Sequence, residues 1–263
     1  RDGEYFAVRG LQLSLSGVSG TGLVGVANGA TVQRLQLIDV VVLGGQNTGA
    51  VIGSMTGGTL SEVYVSGAVT SSTSQVGGVV GSARSAALLE RAHSAASVTM
   101  SGGTLNAGGM VGILRSQARI VDSYFTGSVS APLATVKVGG VVGHVFNDAG
   151  CPASSVEHVY GTGALSAPGT SPAGAIGQLQ GCTAVESYCL DTVDSAPSEC
   201  RQDTSGGTFS GGGQRTAAQL ACPQSAGENC SGATSYVGWD GAVWNFGSAG
   251  QAPWLRWQGS APP

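Results

Sequence analysis

Gly77-Gly78-Val79-Val80-Gly81 decides how this chain folds, because near-copies of it recur: Gly22-Leu-Val-Gly25, Gly49-Ala-Val-Ile-Gly53, Gly108-Gly-Met-Val-Gly112, Gly139-Gly-Val-Val-Gly143 and Gly174-Ala-Ile-Gly177. The closing glycines, at 25, 53, 81, 112, 143 and 177, are spaced by 28, 28, 31, 31 and 34 residues. About ten residues after each comes a second element: Arg34-Leu-Gln-Leu37, Glu62-Val-Tyr-Val65, Arg91-Ala-His-Ser94, Asp122-Ser-Tyr-Phe125, His158-Val-Tyr-Gly161 and Glu186-Ser-Tyr-Cys189. A third follows in several repeats, as in Gly67-Ala-Val69, Gly127-Ser-Val129 and Gly163-Ala-Leu165. The segments alternate with a period of two and are broken by Gly, Ser, Thr, Asn or Pro, with no helical period over a dozen residues. Short strands repeating every 30 residues or so describe the coils of a β-solenoid, in which equivalent positions stack about 4.8 Å apart.

Stacking makes the columns readable. One face runs Leu35, Val63, Ala92, Ser123, Val159, Ser187, then Leu37, Val65, Ser94, Phe125, Gly161, Cys189, then Val41, Val69, Val98, Val129, Leu165, Val193. These residues are apolar or small, as an interior requires. The opposite face carries Gln36, Tyr64, His93, Tyr124, Tyr160 and Tyr188, and beside it Arg34, Glu62, Arg91, Asp122, His158 and Glu186. This last column alternates in sign, which favours a parallel stack, since like charges on adjacent strands repel. Gly10-Leu-Gln-Leu13 aligns with Arg34-Leu-Gln-Leu37 as part of an earlier coil. Glycine pairs at strand entries allow positive φ and close backbone approach.

Composition agrees with a packed extracellular fold. Of 263 residues, 45 are glycine but only 9 proline and without a three-residue period, which excludes collagen. With 41% hydrophobic and 10% charged residues the chain can bury a core, which excludes disorder. A formal charge of −4, with Lys137 the sole lysine, offers no stripe for nucleic acid, and no apolar run reaches the roughly 20 residues of a membrane span. Six cysteines, all between Cys151 and Cys230 and none in a C-x-x-C pair, point to disulfides in an oxidising compartment. Arg1 in place of a start methionine suggests a piece of a larger exported protein.

The G-G-[LVM]-V-G elements followed by a Tyr-bearing strand resemble the GLUG-motif repeats of large bacterial surface and secreted proteins. The tail adds to the likeness: Thr216-Ala-Ala-Gln-Leu220, Gly238-Trp-Asp240, Val243-Trp244, Pro253 and Leu255 resemble the segment that closes such arrays. The resemblance spans residues 20 to 257 and implies a right-handed parallel β-solenoid (β-helix), adhesin-like and without catalytic residues. The cysteine-rich stretch Cys189 to Cys230 departs from it. The expected architecture is all-β, six to seven coils of 28–34 residues over 1–195. Residues 196–263 are expected as a disulfide-braced, Trp-rich cap on the last coil of the same domain, with Trp239, Trp244, Trp254 and Trp257 covering the open end.

Candidate sites follow from the outward columns. Tyr64, His93, Tyr124, Tyr160 and Tyr188 offer either a flat aromatic platform for a glycan or a ladder that merely stabilises the stack. Glu62 and Asp122, two coils apart, would serve as paired carboxylates, but Arg91 lies between and is expected to pair with both. His93, His144 and His158 sit in different coils, and neither a G-x-S-x-G turn, a P-loop nor an H-E-x-x-H motif is present. No catalytic residue is assigned and no cofactor is expected, calcium at Asp191, Asp194, Glu199 and Asp203 being the one candidate. Thr70, Thr99, Ser130 and Ser166 form a hydroxyl column of the kind that orders ice, though uneven coil lengths oppose flatness. Cys151 with Cys182, Cys189 with Cys200 and Cys222 with Cys230 are the expected bridges, among the fifteen pairings that six cysteines allow. The expected function is a structural or adhesive module with a surface glycan or another protein as partner, and the alternative is a carbohydrate-binding or polysaccharide-degrading β-helix.

Overall fold

The computed structural model describes residues 5–103, 106–132, 137–146, 154–168, 172–190, 200–205, 207–221, 225–230, 232–247 and 250–260, with the backbone alone for Val185, Leu190, residues 201–205 and Cys230. The chain is a parallel β-solenoid of about six turns with three stacked sheets. One sheet stacks Val24–Asn28, Ile52–Thr56, Val80–Arg84, Val111–Arg115, Val142–Phe146, Ile176–Gln180 and Arg201–Ser205. The longest sheet stacks Phe6–Arg9, Thr31–Gly44, Thr59–Ser71, Leu88–Met100, Arg119–Phe125, Ser155–Gly161, Thr183–Leu190 and Thr208–Arg215. A short sheet stacks Thr48–Gly49, Gln75–Gly77, Asn106–Gly108 and Lys137–Gly139. The register Val24, Ile52, Val80, Val111, Val142, Ile176 reproduces the spacing of the glycine motifs residue for residue.

Each glycine motif is the corner between the short sheet and the next strand. None of its doubled glycines has positive φ, so of the two expected reasons for them only close backbone approach holds. At Gly81 a Cβ would lie 2.5 Å from the backbone N of Thr48 and 2.7 Å from the carbonyl O of Gly53, in the preceding coil. Backbone meets backbone here, and no side chain can move aside to make room.

Two interior columns are as read: Leu35, Val63, Ala92, Ser123, Val159 and Ser187 are buried, as are Leu37, Val65, Ser94, Phe125, Gly161 and Cys189. Phe125 is accommodated by small neighbours, since a Cβ on Gly109 would meet its ring at 2.5 Å. The third column needs a correction. Val42 pairs with Val69 and is buried, whereas Val41 is 50% exposed, because the strand carries a register shift between Leu37 and Val40 with Asp39 at φ 55°. One extra residue turns every later side chain to the other face. Val193 lies outside the described residues. The first coil is also shifted: Phe6–Arg9, rather than Gly10–Leu13, pairs with Leu35–Ile38.

The tail is corrected too. Arg201–Ser205 and Thr208–Arg215 continue the sheets past residue 195, so the coils do not stop at that boundary. The tryptophans beyond them do not lie on the end of the stack. From the short helix Ala217–Leu220 onward the chain lies as a strap on the flank of the solenoid, over the tyrosine-bearing face, as the contacts below show.

Candidate functional site

The charged residue that begins each second element is a kink. Arg34, Glu62, Arg91, Asp122, His158 and Glu186 have φ of 57°, 53°, 50°, 47°, 51° and 42°, and the strand registers step over them. Left-handed backbone costs a non-glycine residue roughly 1–2 kcal/mol, so the stack pays this repeatedly and places it in one line. Two residues after each kink stands a member of the column Gln36, Tyr64, His93, Tyr124, Tyr160, Tyr188, which the registers confirm as neighbours.

Of the two readings of this column, an open platform or a ladder within the stack, its burial fits the ladder. His93, Tyr124, Tyr160 and Tyr188 are buried, with Tyr64 half-buried at the margin. The rings stack on each other, His93 to Tyr124 at 3.9 Å and Tyr124 to Tyr160 at 4.9 Å between centroids. They are covered by a second apolar cluster comprising Leu220, Tyr236, Trp239, Trp244, Phe246, Trp254 and Leu255. The physical reason is that a row of rings on an otherwise polar flank is a large apolar surface, and the tail supplies the rings that remove it from water.

The strap is keyed to the kinks. Trp257 Nε1 donates to the Arg91 carbonyl at 2.8 Å, Trp244 Nε1 to Asp122 Oδ1 at 3.0 Å, and Trp239 Nε1 to the Glu186 carbonyl at 3.2 Å. The phenols fasten it from the other side: Tyr124 Oη donates to Gln258 Oε1 and Tyr160 Oη to the Pro253 carbonyl, both at 2.6 Å, while Tyr188 Oη accepts from the Tyr236 N–H at 2.8 Å. Gln258 Nε2 donates to His93 Nδ1 at 3.0 Å, which leaves the proton on His93 Nε2, donated to Thr126 Oγ1 at 2.9 Å. Burial pushes the His93 pKa down to about 3 and raises those of Tyr124, Tyr160, Tyr188 and Tyr236. These groups are therefore neutral at physiological pH and act as fixed hydrogen-bonding partners.

The charged ladder is partnered. Glu62 is bridged by Arg34 at 3.4 Å and Arg91 at 3.9 Å. Arg91 does not also reach Asp122 as expected. It turns to Glu90, while Asp122 pairs with His158 Nδ1 at 3.3 Å and accepts from Trp244. His144 lies elsewhere, accepting from Lys137 Nζ at 3.4 Å and donating through Nε2 to Gln180 at 3.3 Å, and burial, then the Lys137 charge, lower its pKa to about 4. Thr70, Thr99, Ser130 and Ser166 share one register column.

Cys189 and Cys200 form the expected disulfide, with Cα atoms 5.5 Å apart, tying the last tyrosine-bearing strand to the residue whose carbonyl accepts from Ala175 and Ile176. Cys182 is also disulfide-bonded. Cys151, Cys222 and the side chain of Cys230 lie outside the described residues, as do Asp191, Asp194, Glu199 and the side chain of Asp203. Among the described residues no three His, Cys, Asp or Glu side chains converge as a metal site, and no helix is long and apolar enough to cross a membrane.

Residues that the sequence did not single out complete the site: Tyr5, whose ring stacks on Trp257 at 5.1 Å, Tyr236, and Gln258, whose amide joins His93 to Tyr124. The available signal was a coincidence of composition, four tryptophans in a non-repeating tail and an aromatic column in the repeats.

No protein-family model matches the chain, so the likeness to GLUG repeats rests on the motif residues and the coil they build. No curated protein matches it either. Among solved structures, the chain is similar to a Bacteroides ovatus protein named a "putative immunoglobulin A1 protease": TM-score 0.66, 18% identity, over 95% of this chain and 75% of that one. At that identity the likeness is one of fold.

Proposed function

We propose that this chain is a non-enzymatic module of an exported bacterial protein of the GLUG-repeat kind, structural or adhesive, whose strand faces and loops meet a surface glycan or another protein. The observation that carries this reading is how the groups available for chemistry are used. Glu62 and Asp122, the carboxylates that a glycan-cleaving site would need free and convergent, are engaged by Arg34, Arg91, His158 and Trp244. The aromatic column that would have offered a sugar platform is covered by the chain's own tail, so a glycan partner would be met by other strand faces and loops. The Cys189–Cys200 bridge suits an oxidising, extracellular setting.

The neighbour's name raises proteolysis. His158 and Asp122 have the His–carboxylate half of a nucleophilic triad, but among the described residues no hydroxyl or thiol hydrogen-bonds His158 Nε2, and Trp239 lies over its ring, 5.9 Å between centroids. The test presents the purified chain with immunoglobulin A1, casein and a panel of neutral and acidic polysaccharides, and in parallel prints glycans and extracellular matrix proteins for binding. Binding without turnover is expected. Cleavage that disappears in His158→Ala or Glu62→Gln would overturn the proposal.

A further inference from the structure

The two sheets that meet at the glycine corners are charged unlike the rest of this acidic chain. The four strands of the short sheet, and the six from Val24–Asn28 to Ile176–Gln180 in the sheet beside it, contain no Asp or Glu, yet they hold Arg84, Arg115, Lys137 and His144. Ala83 and Leu114 are register partners in the core, so Arg84 and Arg115, next along their strands, face outward and stand opposite each other one coil apart. The kink column of the long sheet alternates in sign, whereas here two like charges are neighbours and repel. Among the described residues no carboxylate pairs with either arginine. Arg84 Nε donates to Thr56 Oγ1 at 3.0 Å, and Arg115 Nε is buried with no hydrogen-bond partner.

Beside the arginines the surface is re-entrant. Ser82, Ile113 and His144 alternate with core residues and so point outward, but all three are buried. They are buried because the two sheets turn toward each other at the corner: Asn47 Nδ2 donates to Ser54 Oγ at 3.0 Å, and Lys137 Nζ to His144 Nδ1 at 3.4 Å. In this groove Asn47 Oδ1 and Asn106 Oδ1 are buried without a partner, Asn106 being 3% exposed. The two amides are two coils apart in one register column, about 10 Å along the stack. A buried acceptor left unpaired costs free energy, so one groove combines acceptors that lack donors with cations that lack an anion.

Building on the proposed meeting of this module with a surface glycan, we infer that this groove is where it binds, and that the ligand is an extended acidic glycan, a uronic acid chain lying along the stack. Its carboxylates sit at Arg84 and Arg115, where the planar guanidinium matches a carboxylate with two parallel hydrogen bonds, and their charge relieves the repulsion between the arginines. Its hydroxyls donate to the amide oxygens of Asn47 and Asn106. A neutral glycan satisfies only the second need, and an isolated small anion only the first.

Isothermal titration calorimetry of the full chain with an oligogalacturonate, its methyl ester, a neutral glucan of equal length and single-stranded DNA tests this. The oligogalacturonate is expected to bind, with Arg84→Gln plus Arg115→Gln weakening it by about tenfold or more while far-UV circular dichroism is unchanged. Esterification, which removes the charge and keeps the ring hydroxyls, should weaken binding to the unmodified chain by a similar factor, and this comparison decides should the double variant unfold. No binding of the oligogalacturonate, equal binding of its methyl ester or of the glucan, tighter binding of DNA, or full affinity in a folded double variant would each overturn the site and leave the non-enzymatic module standing. Turnover of the oligogalacturonate that is lost in the double variant would uphold the site and overturn the non-enzymatic reading.

Discussion

The coils and the strap solve the same problem, hiding apolar surface, by opposite means. In the coils each position is stacked on its own equivalent, so one rule of register serves every turn, and a column such as Val42, Val69, Val98, Val129 needs only to be apolar along its length. In the strap nothing repeats. Trp239, Trp244 and Trp257 each meet a different atom of a different coil. Repetition makes the coils tolerant of side-chain exchange but rigid about backbone clearance, whereas the strap depends on individual side chains and on single backbone groups such as the Pro253 carbonyl and the Tyr236 N–H.

The largest effect expected from this contrast is at Gly81. Gly81→Ala places a methyl group against the Thr48 and Gly53 backbone, and a loss of more than about 4 kcal/mol, or failure to fold, is expected in denaturant titration. Tolerance at this position would show that the coils can shear apart to admit a side chain. Next comes Trp244→Ala, which removes the fully buried indole at the centre of the strap cluster. A cost of about 3–5 kcal/mol is expected, with near-UV circular dichroism and strap protease resistance lost while the far-UV strand signal stays. If both signals vanish together, strap and coils are one cooperative unit.

Acid should act mainly on the strap side. His93, held to about 3 in the folded chain against 6.5 when unfolded, binds its proton only on unfolding between those values. Stability therefore falls as pH drops from 6.5 toward 3, by a few kcal/mol at most. His144 adds a loss of the same sign down to about 4. Thermal unfolding followed from pH 7 to pH 4 should show a smaller decline in His93→Asn than in the wild type, and equal slopes would place the acid sensitivity elsewhere. The smallest effect is Glu62→Gln. It breaks the Arg34 and Arg91 contacts on a partly exposed face, and less than about 1 kcal/mol is expected by differential scanning calorimetry.

What could be read from the sequence follows the same division. Parallel stacking writes its period directly into the chain, so the spacing of the glycine corners, the register and two interior columns were legible. The third column failed at Val41 because a single extra residue near Asp39 carries no compositional mark. The kinks were legible only as ordinary strand positions, since a non-glycine residue adopts left-handed backbone in only a few per cent of cases and Arg and Glu carry no mark of it. Alternation of charge was visible there, but the turn of the chain beneath it was not. For the strap, the residues that matter were named without their place: an outward-facing tyrosine and a buried one obey the same period-two pattern, and only the three-dimensional return of the tail over the flank separates them.

One contact has a mechanical consequence. Trp257, in the last part of the strap, stacks on Tyr5 beside the first strand, so the end of the strap is fastened to the first coil along one flank. Tension drawn between residues 5 and 257 would first part this stacked pair, then the tilted and edge-on ring contacts of the strap, and only after their release reach the ladders between coils. The fold then behaves as a spring behind a catch: yielding at low force along the flank, and stiff once the coils themselves bear the load.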